Sequence, residues 1–261
     1  MTRTYAVTGG ASGIGAATTA RLRADGHRVV TIDRVDADVV ADLSTPAGRT
    51  AAVDGVGSLC GVLHGLVASA GIAGGTGGDG ALVASVNYFG AVDVVVGLRP
   101  LLAAVGDASV VVLSSNSVEC QPGWPVEVAE AILTGDEAVA RAAAGAVEAV
   151  QVYPASKAAL RWWVRRNAPA WAADGIRLNA IAPGLVETPM AAIMRADPEL
   201  GAFVDAYPSA LGRPGRPEEV AAAIAWLLGD ESSLVVGTTL VIDGGTDALL
   251  NPSGPSVSPR A

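Results

Sequence analysis

A glycine-rich turn near the N-terminus constrains the fold of this chain more than any other stretch. Residues 8–15 read Thr-Gly-Gly-Ala-Ser-Gly-Ile-Gly, after a short apolar run and before a helical pattern. The glycines at positions 9, 13 and 15 allow a tight turn, a close approach of the backbone to a phosphate, and close packing of the following helix. The free N–H groups at the start of that helix can then bind a pyrophosphate. The stretch therefore predicts a strand, a turn and a helix that together bind a dinucleotide.

Short apolar runs and helical patterns alternate along the whole chain. Seven segments are typical of buried strands: Tyr5–Thr8, Val29–Ile32, Val39–Ala41, Gly65–Ser69, Val110–Ser114, Arg177–Ala182 and Thr239–Ile242. Helical patterns are clearest at Ile14–Ala24, Leu82–Ala104, Val152–Ala173 and Glu218–Leu228. This alternation predicts an α/β fold, a Rossmann-type doubly wound parallel sheet of about seven strands with helices on both faces. We expect a single domain over residues 1–261, with a flexible Pro- and Ser-rich tail at 251–261.

Charge and composition restrict the possible partners. The formal net charge of −9 disfavours nucleic acid and anionic membranes as partners. Polar residues or glycines interrupt every long apolar run, so we expect no membrane span, and a strand near the N-terminus leaves no room for a signal peptide. Cys60 and Cys120 lack metal-ligand spacing, so neither a metal site nor a disulfide framework is expected. These features predict a cytoplasmic protein that acts on a small molecule.

Tyr153 and Lys157 are four positions apart in a predicted helix. On one helix face their Cβ atoms would be about 5–6 Å apart. A fixed positive charge at that distance favours the phenolate and lowers the tyrosine pKa from about 10. Such a tyrosine can give or take a proton at a carbonyl or alcohol oxygen. On this pair alone, a chance placement without function stays open.

Asp33 follows the second predicted strand, 18 residues after Gly15. A carboxylate at this position can accept hydrogen bonds from both ribose hydroxyls of an adenosine and would repel a 2′-phosphate. Asp33 therefore favours NAD over NADP. The neighbouring Arg34 could accommodate that phosphate, so NADP stays open as the alternative.

Further motifs resemble the short-chain dehydrogenase/reductase family over nearly the whole chain. They are Thr8-Gly-x-x-x-Gly-Ile-Gly15, Asp42-Leu43, Ala70-Gly71, Asn87, Ser114-Ser115, Tyr153-x-x-x-Lys157, Pro183-Gly184 and Thr188. Within the family, residues 41–45, 85–90, 177–179 and 241–245 resemble the bacterial 3α-hydroxysteroid dehydrogenase/carbonyl reductase type. The resemblance implies an NAD-dependent oxidoreductase that interconverts a secondary alcohol and a ketone, with hydroxysteroids among the candidates. Two alternatives are an NADPH-dependent reductase of the 3-oxoacyl type and a non-catalytic nucleotide-sensing protein.

The resemblance also implies roles for single residues. Tyr153 would be the acid/base, Lys157 would bind the nicotinamide ribose, and Ser115 would hold the substrate oxygen. Asn87 would hold a water that links Lys157 with solvent, which completes a catalytic set of four. The implied cofactor contacts are Gly9, Ser12, Gly13, Ile14, Gly15, Asp33, Asp42, Leu43, Gly71, Tyr153, Lys157, Pro183, Gly184, Val186 and Thr188.

The chain departs from the family pattern at three places. Ala68-Ser69-Ala70-Gly71 stands where Asn-Asn-Ala-Gly is usual, and Pro169 lies inside the helix of Tyr153, where it predicts a bend. Ser115 and Tyr153 are 38 positions apart, a much longer separation than the family usually has. Residues 116–152 therefore hold a helical insertion, with helices predicted at Val126–Leu133 and Glu137–Val150. We expect this insertion to favour a homodimer over a tetramer.

The segment 185–211 follows the Pro-Gly turn and is predicted to form a mobile lid over the substrate. Met190, Ile193, Met194, Phe203 and Tyr207 are expected on its apolar inner face, joined by Trp124 from the insertion. This composition favours a bulky apolar alcohol or ketone.

Overall fold

The computed structural model of this chain describes residues 2–254, so residues 255–261 of the predicted tail lie outside the described part. Its strands are β1 (Thr4–Thr8), β2 (Arg28–Asp33), β3 (Val39–Val40), β4 (Gly65–Ala68), β5 (Ala108–Leu113), β6 (Ile176–Pro183) and β7 (Thr239–Ile242). They form one sheet in the order β3-β2-β1-β4-β5-β6-β7, and every neighbouring pair is parallel. The predicted seven-stranded Rossmann-type sheet is confirmed, with each strand within two residues of its predicted bounds.

Helices connect consecutive strands, except β2 and β3, which a short loop joins, and they cover the sheet. The helices within the described residues are α1 (Gly13–Ala24), α2 (Pro46–Leu59), α3 (Gly80–Ala84), α4 (Gly90–Gly97), α5 (Arg99–Ala103), α6 (Ser117–Cys120), α7 (Val126–Leu133), α8 (Glu137–Gly145), α9 (Ala149–Ala172), α10 (Pro189–Ala196), α11 (Gly201–Asp205), α12 (Pro217–Leu228) and α13 (Thr246–Leu250). Both faces of the sheet carry a buried apolar cluster. Strands buried on both faces read as continuous apolar runs, which is why the sequence identifies them.

Two predicted helices differ from the structure. The helix predicted at Leu82–Ala104 consists of α3, a π-helical turn at Ser85–Phe89, α4 and the separate α5. The helix predicted at Glu137–Val150 ends at Gly145, and α9 begins after Glu148, whose backbone is extended. Glycine has a low helix propensity, which gives a physical reason for this boundary.

The stretch Gly80–Gly97 is long and apolar enough to cross a membrane, with a mean hydropathy of 1.5. In the fold, 61% of this stretch is buried inside the protein. Val83, Ala84, Tyr88 and Val94 belong to the core cluster on one face of the sheet. The stretch is therefore the core helix of a parallel-sheet domain.

The insertion forms α6, α7 and α8, which confirms its predicted helical character. Helix α7 buries Val128, Ala129 and Ile132 in the core cluster that also contains the apolar side chains of α9. Helix α8 is fixed by an ion pair across the fold, between its Glu137 and Arg49 of α2. The Arg49 side chain is only 3% exposed and also pairs with Asp93 of α4 at 2.9 Å. Packing and a buried charge network therefore hold the insertion against the body of the protein.

Arg49→Met is expected to lower the free energy of unfolding by about 3–5 kcal/mol, because Glu137 would remain largely buried without its counter-ion. Urea denaturation at neutral pH measures this loss. The control is Arg21→Met, which removes an exposed i,i+4 pair with Asp25 and should cost less than about 1 kcal/mol. Equal losses in the two variants would contradict a structural role for the Arg49 network.

Candidate active site

A cavity of about 480 Å³ opens at the carboxyl edge of the sheet. The strand order reverses between β1 and β4, and ligands of open α/β sheets bind in the crevice at such a point. The cavity wall contains every predicted site residue except Asn87: Gly9, Ser12, Gly13, Ile14, Gly15, Asp33, Asp42, Leu43, Gly71, Ser115, Tyr153, Lys157, Pro183, Gly184, Val186 and Thr188. The fold thus brings together residues from widely separated motifs.

The glycine-rich turn forms the floor of one end of this cavity. Gly13 has a φ of +53°, a conformation that residues with a Cβ rarely adopt. A Cβ on Gly15 would lie 2.1 Å from the Gly9 carbonyl oxygen, so only glycine allows α1 to start this close to the turn. The Ser69 hydroxyl donates to the Thr8 carbonyl, and the Ala70 N–H donates to Thr8 Oγ1 at 3.0 Å. Hydroxyl groups thus hold β4 against β1, at the place where the resemblance implied asparagines.

Asp33 ends β2 beside the turn. Its Oδ2 accepts a hydrogen bond from the Ala11 N–H at 3.0 Å, and its Oδ1 accepts one from the Arg34 N–H at 2.7 Å. Asp42 lies nearby, and a hydrogen bond from the Ser44 backbone holds the pKa of its carboxyl below the usual value. This end of the cavity therefore presents carboxylates that suit ribose hydroxyls better than a phosphate.

Lys157 and Tyr153 lie at the opposite end, on α9. The Lys157 ammonium donates to the Leu113 carbonyl at 2.9 Å and lies 5.7 Å from the centroid of the Tyr153 ring. Burial lowers the pKa of Lys157 to about 8. Burial also raises the pKa of the Tyr153 phenol, against the opposing effect of a hydrogen bond with Ser115. The predicted lowering of the Tyr153 pKa is therefore wrong, because desolvation of the phenolate outweighs the favourable contacts.

Ser115 lies just beyond the end of β5. Its Oγ accepts a hydrogen bond from the Ser117 N–H at 3.1 Å, which leaves its own proton free to donate to another oxygen. The candidates for that oxygen are the Tyr153 phenol and a substrate oxygen in the cavity. This arrangement fits the predicted contact between Ser115 and a substrate oxygen, which stays a prediction.

Asn87 is the one predicted site residue that does not reach the cavity wall. It is fully buried in the π-helical turn, a feature that is frequent at functional sites. Its amide accepts from the Ile72 N–H at 2.8 Å and donates to the Ile72 carbonyl at 3.1 Å and to Ser156 Oγ at 3.3 Å. A Cβ on Gly71 would lie 3.1 Å from Asn87 Oδ1 and 3.5 Å from Lys157 Nζ, so Asn87 lies close behind the lysine. A water between the two stays a prediction.

Helices α10 and α11 belong to the segment predicted as a mobile lid and border the cavity, while its movement stays a prediction. Met190, Met194, Phe203 and Tyr207 line the cavity. Two expectations are wrong: Ile193 is 72% exposed, and Trp124 packs against Trp162 while its indole N–H donates to the Val118 carbonyl. The hydrogen-bond acceptor of the Trp124 indole N–H therefore lies within the insertion itself.

Sequence reasoning missed polar contacts around the loop that follows β5. The Tyr207 hydroxyl of the lid donates to Asn116 Oδ1 at 3.1 Å, and Asn116 Nδ2 donates to Asp243 Oδ2 at 3.3 Å. Arg161 of α9 contacts the same loop. Asn116 follows Ser115 directly, and this position could have indicated that Asn116 lies near the site. Arg161 follows Lys157 by four residues, which could have indicated that it lies on the same helix face.

Comparisons with known proteins agree with this geometry. A family model described as Enoyl-(Acyl carrier protein) reductase matches residues 138–247. The 3-alpha-hydroxysteroid dehydrogenase/carbonyl reductase of Comamonas testosteroni is 41% identical over 251 residues, which cover 95% of this chain and 97% of that protein. The 3-alpha-(or 20-beta)-hydroxysteroid dehydrogenase of Mycobacterium tuberculosis is 34% identical, over 93% of this chain and 88% of its own.

A solved structure with bound cofactor is similar to this chain over its whole length. The crystal structure of the 3-alpha-hydroxysteroid dehydrogenase from Pseudomonas sp. B-0831, complexed with NADH, has a TM-score of 0.92 and 43% sequence identity with this chain. The match covers 97% of this chain and 100% of that chain.

Proposed function

Because this chain belongs to the short-chain dehydrogenase/reductase family, we propose that it is an NAD-dependent oxidoreductase that interconverts a secondary alcohol and a ketone. The observation that carries the proposal is the shared cavity: the glycine-rich turn and Asp33 line one end, and Ser115, Tyr153 and Lys157 line the other. A solved relative with a TM-score of 0.92 was crystallised with NADH, which supports the choice of cofactor. The predicted cytoplasmic location stays a prediction.

The residues at the carboxyl edge fit a dinucleotide. Because Gly15 has no side chain, α1 starts directly against the glycine-rich turn, and the N–H groups at its start would bind the pyrophosphate. Asp33 would accept hydrogen bonds from the adenosine ribose hydroxyls, and Asp42 would lie at the adenine. Lys157 holds the nicotinamide ribose, and Pro183, Gly184, Val186 and Thr188 line the nicotinamide side. The bound cofactor supplies the hydride acceptor for oxidation and the hydride donor for reduction.

The chain itself moves the proton. In oxidation, the Tyr153 phenolate takes the hydroxyl proton of the alcohol, and in reduction the neutral phenol gives its proton to the ketone oxygen. Ser115 donates a hydrogen bond to that oxygen and holds it beside the tyrosine. Asn87, behind Lys157, holds the water through which the lysine exchanges protons with solvent.

We propose a bulky apolar substrate, with hydroxysteroids as the leading class. Met190, Met194 and Phe203 give the lid side of the cavity an apolar wall. Relatives that match nearly this whole chain are named as hydroxysteroid dehydrogenases. A panel of hydroxysteroids and simple secondary alcohols, assayed through NADH absorbance, ranks these classes.

Tyr153→Phe is expected to lower kcat by about 10²–10⁴-fold in both directions, the usual contribution of a positioned acid or base. The Kd for NADH, measured by fluorescence, should change little because the phenyl ring remains. The control is Tyr88→Phe, which removes another buried phenol that does not line the cavity. Near-normal turnover of Tyr153→Phe would contradict the assignment, whereas a wild type without turnover would favour the nucleotide-sensing alternative.

The pH profile of the wild type follows from the same tyrosine. Since burial raises its pKa above the ordinary value of 10, the phenolate is scarce at neutral pH and increases as the pH rises. Alcohol oxidation should therefore become faster with rising pH, and ketone reduction should not.

The second candidate function is an NADPH-dependent reductase. It is favoured by the exposed Arg34 beside Asp33 and by the acyl carrier protein reductase description of the matching family model. The Asp33 carboxylate opposes it, because a 2′-phosphate would have to bind beside a negative charge.

The wild type is expected to prefer NAD over NADP in kcat/KM, and Asp33→Ala should lower that preference on the order of tenfold, about 1.4 kcal/mol. The measurement is turnover of one substrate with each cofactor. Asp54→Ala removes an exposed carboxylate of α2 and serves as the control for net charge. A wild type that prefers NADP would favour the second candidate.

For the assembly we propose a homodimer. The insertion helices cover the outer face of α9, so that face is not free for a second subunit. Strand β7 is an edge of the sheet, and exposed apolar side chains lie on it and on the segment just before it: Leu234, Val236 and Val241. An edge strand with apolar neighbours suits pairing with a second copy across a twofold axis.

Light scattering should give twice the chain mass of 26.0 kDa for the wild type. Leu234→Glu places a charge on the apolar edge and should shift the mass towards the monomer. Ile193→Glu is the control, since it charges an exposed apolar residue on the lid. Deletion of Pro125–Val147 should raise the mass of the assembly from that of a dimer towards that of a tetramer. An unchanged assembly mass would contradict the role of the insertion.

A further inference from the structure

One guanidinium joins the loop of Ser115 to the helix of Tyr153. Arg161 lies on α9, one turn after Lys157 and two turns after Tyr153, so the three side chains share a helix face. Its side chain is 11% exposed and does not line the cavity. The arginine is therefore placed behind the reacting groups.

The contacts of Arg161 converge on the residues around Ser115. Its Nε donates to Ser114 Oγ at 2.8 Å, and its Nη2 donates to the Ser115 carbonyl. The Ser114 hydroxyl in turn donates to the Lys157 carbonyl at 2.9 Å. Both carboxylate oxygens of Glu119 accept from the guanidinium and balance its charge. A single side chain thus connects the loop with the catalytic helix.

We propose that Arg161 is a positioning residue that fixes the position of Ser115 relative to Tyr153, with Glu119 as its counter-ion. This inference rests on the proposed function. It concerns a pair of residues, 42 positions apart, that lies outside the motifs by which the family is identified.

The end of the sheet explains why Ser115 needs such support. The ladder between β5 and β6 ends at Leu113, and the following N–H groups of Ser114 and Asn116 still bind Ile181 and Pro183 carbonyls. Within the described part of the chain no backbone N–H donates to the Ser115 carbonyl, and the Arg161 guanidinium donates to it instead. The planar fork of arginine serves Ser114, Ser115 and Glu119 at once, which the point charge of lysine cannot do.

The functional consequence is geometric. Ser115 must point its hydroxyl at the substrate oxygen while Tyr153 transfers the proton, and a misplacement of about 1 Å can cost 10²-fold in rate. The dinucleotide end of the cavity is independent of Arg161, because the glycine-rich turn and Asp33 belong to β1, α1 and β2. Loss of Arg161 should therefore affect turnover much more than cofactor binding.

The test compares the wild type with Arg161→Leu and with the control Arg165→Leu. Arg165 lies one turn further along α9 and is exposed, and among residues 2–254 its one side-chain hydrogen bond is to the Gly237 carbonyl. Arg161→Leu is expected to lower kcat about 10- to 100-fold, to leave the Kd for NADH within about twofold, and to increase the isotope effect with 4-deuterated NADH. Arg165→Leu should behave as the wild type.

A crystal structure of Arg161→Leu gives a readout that does not depend on turnover. We expect Ser115 to be displaced relative to Tyr153, and an unmoved Ser115 with wild-type kcat would overturn the inference. Glu119→Gln keeps the size of the Glu119 side chain and should lower kcat by a smaller factor than Arg161→Leu. This variant tests the role of the Arg161–Glu119 pair even if Arg161→Leu does not fold. A wild type without turnover would count against the proposed function, whereas the position of Ser115 in the variant would still decide the inference.

Discussion

The parallel direction of the seven strands is the constraint on which the rest of the structure depends. Because all strands end at the same edge, residues that follow β1, β2, β4, β5 and β6 meet in one cavity. The order reverses next to β1, and the glycine-rich turn starts α1 in the gap that this reversal leaves. A cofactor and a substrate can then lie side by side although their binding residues are far apart in the chain.

Burial of polar groups is the second recurring theme at this edge. Lys157 and Asn87 are buried, and each finds backbone partners: the lysine at the Leu113 carbonyl and the asparagine at Ile72. Buried polar groups that lack partners destabilise a protein, so these contacts make the site compatible with a stable core. The same burial raises the pKa of Tyr153 and lowers that of Lys157.

The insertion shows how an added segment can be fitted to an existing fold. Arg161 and Glu119 hold its first residues at the catalytic helix, and Arg49 and Glu137 hold α8 against α2. Between these ion pairs, α7 packs its apolar face on α9. Pro154 has no N–H to offer the Val150 carbonyl, and Gln121 of the insertion donates to that carbonyl at 3.0 Å. The segment is therefore integrated with the helix that carries Tyr153.

The sequence by itself determined the sheet, the glycine-rich turn and the pair Tyr153 and Lys157, because these follow from local patterns: apolar runs, glycine spacing and two residues one helical turn apart. It did not determine the direction of the Tyr153 pKa shift, since desolvation depends on what packs around the ring. It also did not place Trp124, whose indole found a partner six residues away. The contacts of Arg161 with Glu119 and of Tyr207 with Asn116 join positions 42 and 91 apart, and only the folded chain brings them together.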